Sequence, residues 1–181
     1  MLRRRKFIVV IPVLLALLVA SYFLYIEEQG NFYAITPGEA YRSGQLDRDE
    51  LEYYIGRYHI NSILNLRGSN PDAQWYIEEV KVSKELNVRH YDISLSATSE
   101  PGDKDVQRLM EVFKSAPRPI LIHCKGGADR SGLVAAMWKV IVDGESKSVA
   151  ESQLSILYGH IPVAGTIAMD RFFEKWVPEH N

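Results

Sequence analysis

The chain predicts an α/β domain whose mainly parallel central sheet is flanked by helices, preceded by one N-terminal transmembrane helix. Three observations carry that expectation. Short apolar runs alternate with stretches of helical periodicity from residue 32 onward, the pattern of strands joined by crossover helices. One such run, Ile120-Leu121-Ile122, enters a glycine-containing loop that passes straight into a second apolar stretch, Leu133 to Trp138. An uncharged run from Phe7 to Ile26 follows Arg3-Arg4-Arg5-Lys6.

Taken in order, residues 1–6 form a basic tip and residues 7–26 a span of 20 residues, enough to cross a hydrocarbon core as a helix. Pro12 is tolerated in such a helix, and Tyr22 and Tyr25 sit where interfacial aromatics are favoured. A cleavable signal peptide is the competing reading, with an apolar core of about 7–15 residues ending at small residues. Ala20-Ser21 is a cleavage candidate, but Tyr22-Phe23-Leu24-Tyr25 continues the apolar run, so an uncleaved anchor is preferred. Cationic flanks stay cytoplasmic, which makes this a single-pass membrane protein with its folded domain on the periplasmic or extracellular side. Residues 27–31 read as a polar linker and 32–178 as the domain.

Within the domain, Phe32 to Thr36 and Ala40 to Ser43 read as strands around a Pro37-Gly38 turn. Asp47, with Glu50 three residues on, caps a helix whose stripe is Leu51, Tyr54, Ile55 and Tyr58. Ser62 to Leu66 is a buried strand. Asn70-Pro71 opens a second helix with proline in its first position, running to about Leu86, and Val88 to Leu95 is the next strand. Ser96 to Gly102 is a polar loop. A helix follows from Asp103, with Val106, Leu109, Met110 and Phe113 along one face. Pro119 to His123 is the central strand, and a nearly all-apolar helix runs from Ser131 to about Asp143, as expected of a buried one. Ser148 and Glu151 suggest a capping box for a further helix, and Ile167 to Trp176 makes the last.

The loop between central strand and buried helix reads His123-Cys124-Lys125-Gly126-Gly127-Ala128-Asp129-Arg130-Ser131-Gly132, and Cys124 is the chain's single cysteine. A thiol with a pKa of about 8.5 needs positive potential to become a nucleophilic thiolate. A helix starting near Ser131 aims its dipole and unpaired amides into the loop, favouring a thiolate or a phosphate. Gly126 and Gly127 let the backbone curl so that amides approach phosphate oxygens. Arg130 supplies a planar, permanently charged fork, and Ser131 can donate to the sulfur as it leaves. The loop therefore points to phosphoryl transfer, with Cys124 as nucleophile, Arg130 as clamp, Ser131 as helper, and Lys125, Gly126, Gly127, Ala128 and Asp129 around the phosphate. The plainer alternative is a cysteine buried as a small hydrophobe; the adjoining histidine, glycines and Ser-Gly weigh against it.

On these residues the chain resembles the cysteine-dependent protein tyrosine and dual-specificity phosphatases, whose loops read His-Cys, five residues, Arg, Ser or Thr, Gly. Tyr41-Arg42-Ser43-Gly44-Gln45 and Ile63-Leu64-Asn65-Leu66-Arg67 are similar to segments of small bacterial members, and the resemblance covers about residues 32 to 176. It implies a dual-specificity-phosphatase-like fold, a cysteinyl-phosphate intermediate, a phosphorylated protein or small phosphomonoester as substrate, no cofactor and no metal. It also implies a general acid, commonly an Asp on the loop after the strand ending near Leu95. There this chain carries Ser96-Ala97-Thr98, so four carboxylates compete: Asp103 first, then Asp129 inside the loop, Glu100 and Asp92. Asp129 stands where some phosphoinositide phosphatases of the superfamily carry their acid.

Charge narrows the partners. Of 21 Lys+Arg, four lie in the basic tip, leaving 17 against 23 Asp+Glu and a net charge of −6. Such a surface disfavours nucleic acid and broad adhesion to anionic lipid, so membrane contact rests on the N-terminal helix. His123 is positioned to order the loop rather than ligate metal; His90, His160 and His180 read as structural or exposed. Arg67 either lines the cleft or pairs with a carboxylate. Besides a phosphotyrosine or dual-specificity phosphatase, two readings stay open: an inositol phosphate or phosphoinositide phosphatase with the same chemistry, and a non-catalytic phosphate-binding pseudophosphatase. A rhodanese-type sulfurtransferase fits less well, its cysteine loop being one residue shorter.

Overall fold

Five four-residue strands build one sheet in the order β1-β2-β5-β3-β4: β1 Tyr33–Thr36, β2 Ala40–Ser43, β3 Ser62–Asn65, β4 Arg89–Asp92 and β5 Ile120–His123. Only β1 runs antiparallel to its neighbour; β2, β5, β3 and β4 are mutually parallel. This computed structural model describes residues 2–178, with side chains from Ile11 onward. Met1 and residues 179–181, and with them the reading of His180, lie outside the described residues.

Every residue of β2, β3 and β5 is buried, as expected of parallel strands covered on both faces. Their side chains alternate between two cores. Leu64, Ile120 and Ile122 face a cluster with helix α4 (Asp103–Ser115), helix α5 (Asp129–Ile141) and helix α7 (Ile167–Lys175). Ile63, Leu121 and Tyr41 face the other, with helix α2 (Arg48–Tyr58) and helix α3 (Gln74–Glu85). The registers align Ser43, His123 and Asn65 across β2, β5 and β3. Three strands thus end side by side, and the loop that opens at Cys124 sits at that carboxyl edge, where open α/β sheets place their ligands.

The helices follow sequence expectation with three corrections. The capping box on α2 forms as read: Asp47 accepts from the Glu50 amide at 2.9 Å and Glu50 accepts from the Asp47 amide at 2.9 Å. The second helix begins at Gln74 rather than Pro71, because residues 71–73 form a turn and Ala73 is the cap. Helix α5 starts at Asp129, two residues before Ser131, and buries Ser131 through Trp138. The Ser148/Glu151 capping box does not form. Ser146 is the cap of the four-residue helix α6 (Lys147–Ala150), Ser148 lies inside it with its hydroxyl on that of Ser146, and Glu151 opens a single 3-10 turn.

Helix α1 runs from Leu2 to Glu28, and it is the one described helix long and apolar enough to span a membrane. It continues into the stretch read as a linker, and its last turns pack on the domain. Ile26 and Asn31 are buried, and the Tyr22 hydroxyl donates to the carbonyl of Leu157 at 2.6 Å.

Asp47→Ala removes the one side chain that accepts an orphan amide of α2, and should lower unfolding stability by about 1 kcal/mol. Asp49→Ala, an uncapped first-turn residue, should cost less. Denaturant titration of both variants checks this.

Candidate active site

Cys124 is buried directly after β5, and its sulfur lies 3.4 Å from the Ser131 hydroxyl on the first turn of α5. The residues between them form a loop whose outer wall is tied down carbonyl by carbonyl. Lys125 O accepts from the Gln45 amide at 3.0 Å. Gly126 O accepts from Asn31 Nδ2 at 2.8 Å. Gly127 O and Ala128 O accept from Arg42 Nη2 at 2.8 and 3.0 Å. In a trans peptide the N–H points opposite to the C=O. The amides of Gly126, Gly127, Ala128 and Asp129 therefore face away from these donors.

Gly127 is required at its position. Its φ is +71°, and a Cβ there would stand 2.6 Å from the Gly44 nitrogen and 2.8 Å from the Ser43 carbonyl carbon, contacts that fixed backbone cannot relieve.

Arg42 is the residue whose role sequence reasoning missed. It lies in β2, fully buried, with Nη1 on Gln153 O at 2.7 Å and Gln153 Oε1 at 3.1 Å, and its guanidinium 4.3 Å above the Tyr158 ring. Burial pulls it down to about 10, partly offset by Cys124 and Tyr158, so it stays charged at neutral pH. The only local signal is an arginine inside a predicted strand, Ala40-Tyr41-Arg42-Ser43; its partners lie far along the chain.

Behind the strand end lies a second buried group. Glu79 on α3 accepts through Oε1 from His123 Nε2 at 3.2 Å and His90 Nε2 at 2.8 Å, and through Oε2 from Gln45 at 2.7 Å. Burial alone would raise its carboxyl, but the charge of His123 and the bonds from His123, His90 and Gln45 hold it well below the usual carboxylate range. The His123 ring is thus fixed by a carboxylate on α3 that the sequence did not single out, and it makes no bond to the loop among the described residues. Gln45 also accepts from Arg67 at 2.8 Å. Arg67 stacks 3.4 Å above Trp75 and has no carboxylate partner among the described residues. Burial first, then the like charge of Arg130, lowers it; of its two readings, the structure favours the cleft.

Arg130 occupies the first turn of α5, with Nη1 donating to Leu66 O at 3.3 Å and Leu95 O at 3.2 Å. Its Nε is buried without a partner among the described residues, so the fork retains donor capacity. Lys125 is exposed at the rim. The four acid candidates separate. Asp92 accepts from Asn65 at 2.8 Å and Tyr76 at 2.6 Å, a structural role. Glu100 pairs with Lys175 at 3.2 Å, on the surface. Asp129 accepts from His160 Nδ1 at 2.8 Å, while His160 Nε2 meets Asp170 at 3.0 Å. Asp103 does not cap α4, a position held by Gly102; it is exposed in the first turn, with no side-chain partner among the described residues. None of the four lies in a described contact with Cys124.

Residues 33–165 match the family model described as a DSP-PTPase phosphatase fused to NAD+ kinase. The chain belongs to the DSP-PTPase phosphatase family. Within it, the chain is 37% identical over 54 residues to the dual specificity protein phosphatase TpbA of Pseudomonas aeruginosa, a match covering 29% of this chain and 25% of TpbA. Human dual specificity protein phosphatase CDC14A is 24% identical over 124 residues, 61% of this chain and 20% of CDC14A. The matches thus span about a quarter and a fifth of these relatives. The TpbA crystal structure superposes with a TM-score of 0.62 at 20% identity, covering 81% of this chain and 85% of that one. The catalytic core of the S. cerevisiae PP-IP phosphatase SIW14, solved with citrate, superposes with a TM-score of 0.64 at 23% identity, covering 82% and 86%. Both share the DSP-PTPase fold.

Two predictions follow from this wiring. Arg42→Lys keeps a charge but loses the fork that holds two carbonyls. A loop displaced by about 1 Å loses on the order of 10²-fold in rate, so kcat on an aryl phosphate should fall by that order while the chain stays folded by circular dichroism. For His160, burial lowers its affinity for a proton, but the bonds to Asp129 and Asp170 outweigh this and raise it above 6.5. The charged ring then stabilises the fold fully below pH 6.5, and that contribution is lost as pH rises through the raised value. Tm should decline across that window, and His160→Gln should flatten the decline.

Proposed function

We propose that this protein is a phosphomonoester hydrolase of the tyrosine/dual-specificity type. The single observation that carries the reading is the sulfur of Cys124 at the head of a loop whose four carbonyls from Lys125 to Ala128 are held outward. In this mechanism Cys124 attacks phosphorus, its S–P bond forms as the P–O bond to the leaving group breaks, and water then hydrolyses the phosphocysteine. The amides of Gly126 through Asp129 and the guanidinium of Arg130 carry the charge of the transferring group, and Lys125 and Ala128 border it. Ser131, already within reach of the sulfur, donates to the departing thiolate. Asp103 is proposed as the general acid: of the four candidates it alone keeps both oxygens free among the described residues, and it follows the loop that starts at Leu95, whose carbonyl accepts from Arg130.

A second substrate reading has its own support. Arg67 places another guanidinium beside Arg130, unpaired with any described carboxylate, and one structural neighbour is named as a PP-IP phosphatase. Two cations suit a substrate with more than one phosphate, such as an inositol phosphate.

Helix α1 is proposed as an uncleaved anchor, with Arg3, Arg4, Arg5 and Lys6 in the cytoplasm and the phosphatase domain outside. The closeness of its last turns to the loop supports this.

A phosphosubstrate panel tests these proposals. Cys124→Ser should abolish release of phosphate from an aryl phosphate and Arg130→Ala should cut it severely; full activity in Cys124→Ser overturns the mechanism. Asp103→Asn should slow poor leaving groups more than good ones, and an equal effect on both removes it as the acid. Arg67→Ala should weaken kcat/KM on inositol phosphates more than on phosphotyrosine peptides if the second reading holds.

A further inference from the structure

Between Glu151 and Asp170 the sequence contains no Asp, Glu, Lys or Arg, in a chain otherwise rich in all four. This stretch folds as a 3-10 turn, Ile156–Tyr158, followed by an extended segment and a turn leading into α7. Between Ser155 and Ala164 its large aliphatic side chains face outward: Ile156 is 56% exposed, Leu157 63%, Ile161 41% and Val163 60%. An uncharged surface with four large aliphatics is the composition of a contact site rather than of ordinary solvent-facing loop.

What covers it is indicated by its neighbour. The Tyr22 hydroxyl of α1 bonds to Leu157 O at 2.6 Å, and a Cβ on Gly159 would lie 3.4 Å from Ile26 Cδ1 and 3.9 Å from Phe23. The loop is therefore fastened to the end of the apolar helix. Leu14, Leu15, Leu17, Leu18 and Leu24 of that helix are exposed, and the loop is attached to the same helix at Tyr22, Phe23 and Ile26. Where α1 leaves the hydrocarbon at Tyr22 and Tyr25, aromatics with polar tips mark the headgroup level.

We propose that the 155–164 loop is a bilayer-docking surface, with Ile156, Leu157, Ile161 and Val163 dipping into the headgroup–acyl boundary beside the point where α1 emerges. The partner is a lipid surface, and because the loop's one side chain able to carry charge near neutral pH, His160, is buried between Asp129 and Asp170, docking needs no anionic lipid. The inference rests on reading α1 as a membrane anchor. Its consequence is positional. Asn31 bonds both Tyr158 O at 2.9 Å and Gly126 O at 2.8 Å, and His160 bonds Asp129 at 2.8 Å. The docked loop is thus one side chain away from the phosphate loop at two points, and the active site lies at the membrane surface rather than at the end of a tether.

The test uses the full chain in a Cys124→Ser background, so that each introduced cysteine is the only one, labelled with an environment-sensitive nitrobenzoxadiazole dye. Leu157→Cys reports the loop and Val163→Cys replaces it if the first variant fails to fold. Leu17→Cys reports the anchor, and Lys114→Cys, exposed at the far end of α4 from the strand carboxyl edge, reports solvent. The proteins are reconstituted in phosphatidylcholine vesicles containing acyl chains with a shallow nitroxide label. Docking predicts loss of fluorescence and a blue-shifted emission at position 157, as at 17, with neither at 114. Quenching at 17 with emission at 157 like that at 114 overturns the docking surface and leaves the anchor standing. No quenching at 17 removes the anchor and the docking surface together.

Discussion

Four consecutive backbone carbonyls, Lys125 through Ala128, are pulled outward by donors from elsewhere in the chain, and the rest of the site depends on that pull. A peptide group cannot turn its carbonyl one way without turning its amide the other. The orientation of the N–H groups therefore comes from Gln45, Asn31 and above all Arg42, none of which belongs to the loop. Each carbonyl on the outer wall has its hydrogen-bond partner, which holds the peptide planes in that orientation. A buried guanidinium is itself expensive unless its protons are satisfied. Arg42 offsets this with four hydrogen bonds and a tyrosine face, leaving only its Nε without a described partner.

Charge is layered around the sulfur in the same spirit. Arg67 lies within electrostatic reach of both Cys124 and Arg130; behind β5 stands the ionised Glu79, bound to His123, His90 and Gln45. Glu79 reaches Arg67 through Gln45, so one buried carboxylate orients both the residue preceding Cys124 and the Arg67 guanidinium. On the other side, His160 between Asp129 and Asp170 ties the first turn of α5 to the start of α7. Asp129 is thereby engaged in holding the helix that aims its amino end at Cys124.

Much of this was legible in the sequence, and the reason is locality. The loop from His123 to Gly132, its preceding strand and its following helix are contiguous, and their periodicity and glycine content state the conformation directly. The α2 capping box was equally readable, since both partners lie within one turn. What stayed hidden is what distance in sequence hides. Arg42 contacts residues some 85 and 111 positions away, and Glu79 lies 44 from His123. Pro71 misled because a proline suited to a first helical position also suits the turn that forms at 71–73. Ser148/Glu151 misled because Ser146, two residues earlier, offered a rival start. The polar stretch 27–31 resembled a tether by composition, yet Asn31 is buried by its bonds to Gly126 and Tyr158.

The most direct test is a crystal structure of the protein with orthovanadate. Vanadium bonded to Cys124 Sγ, with its oxygens about 2.7–3.1 Å from the amides of Gly126 through Asp129 and from the Arg130 fork, is the predicted result. Amides turned to the outer wall, or vanadate seated away from the sulfur, would contradict it.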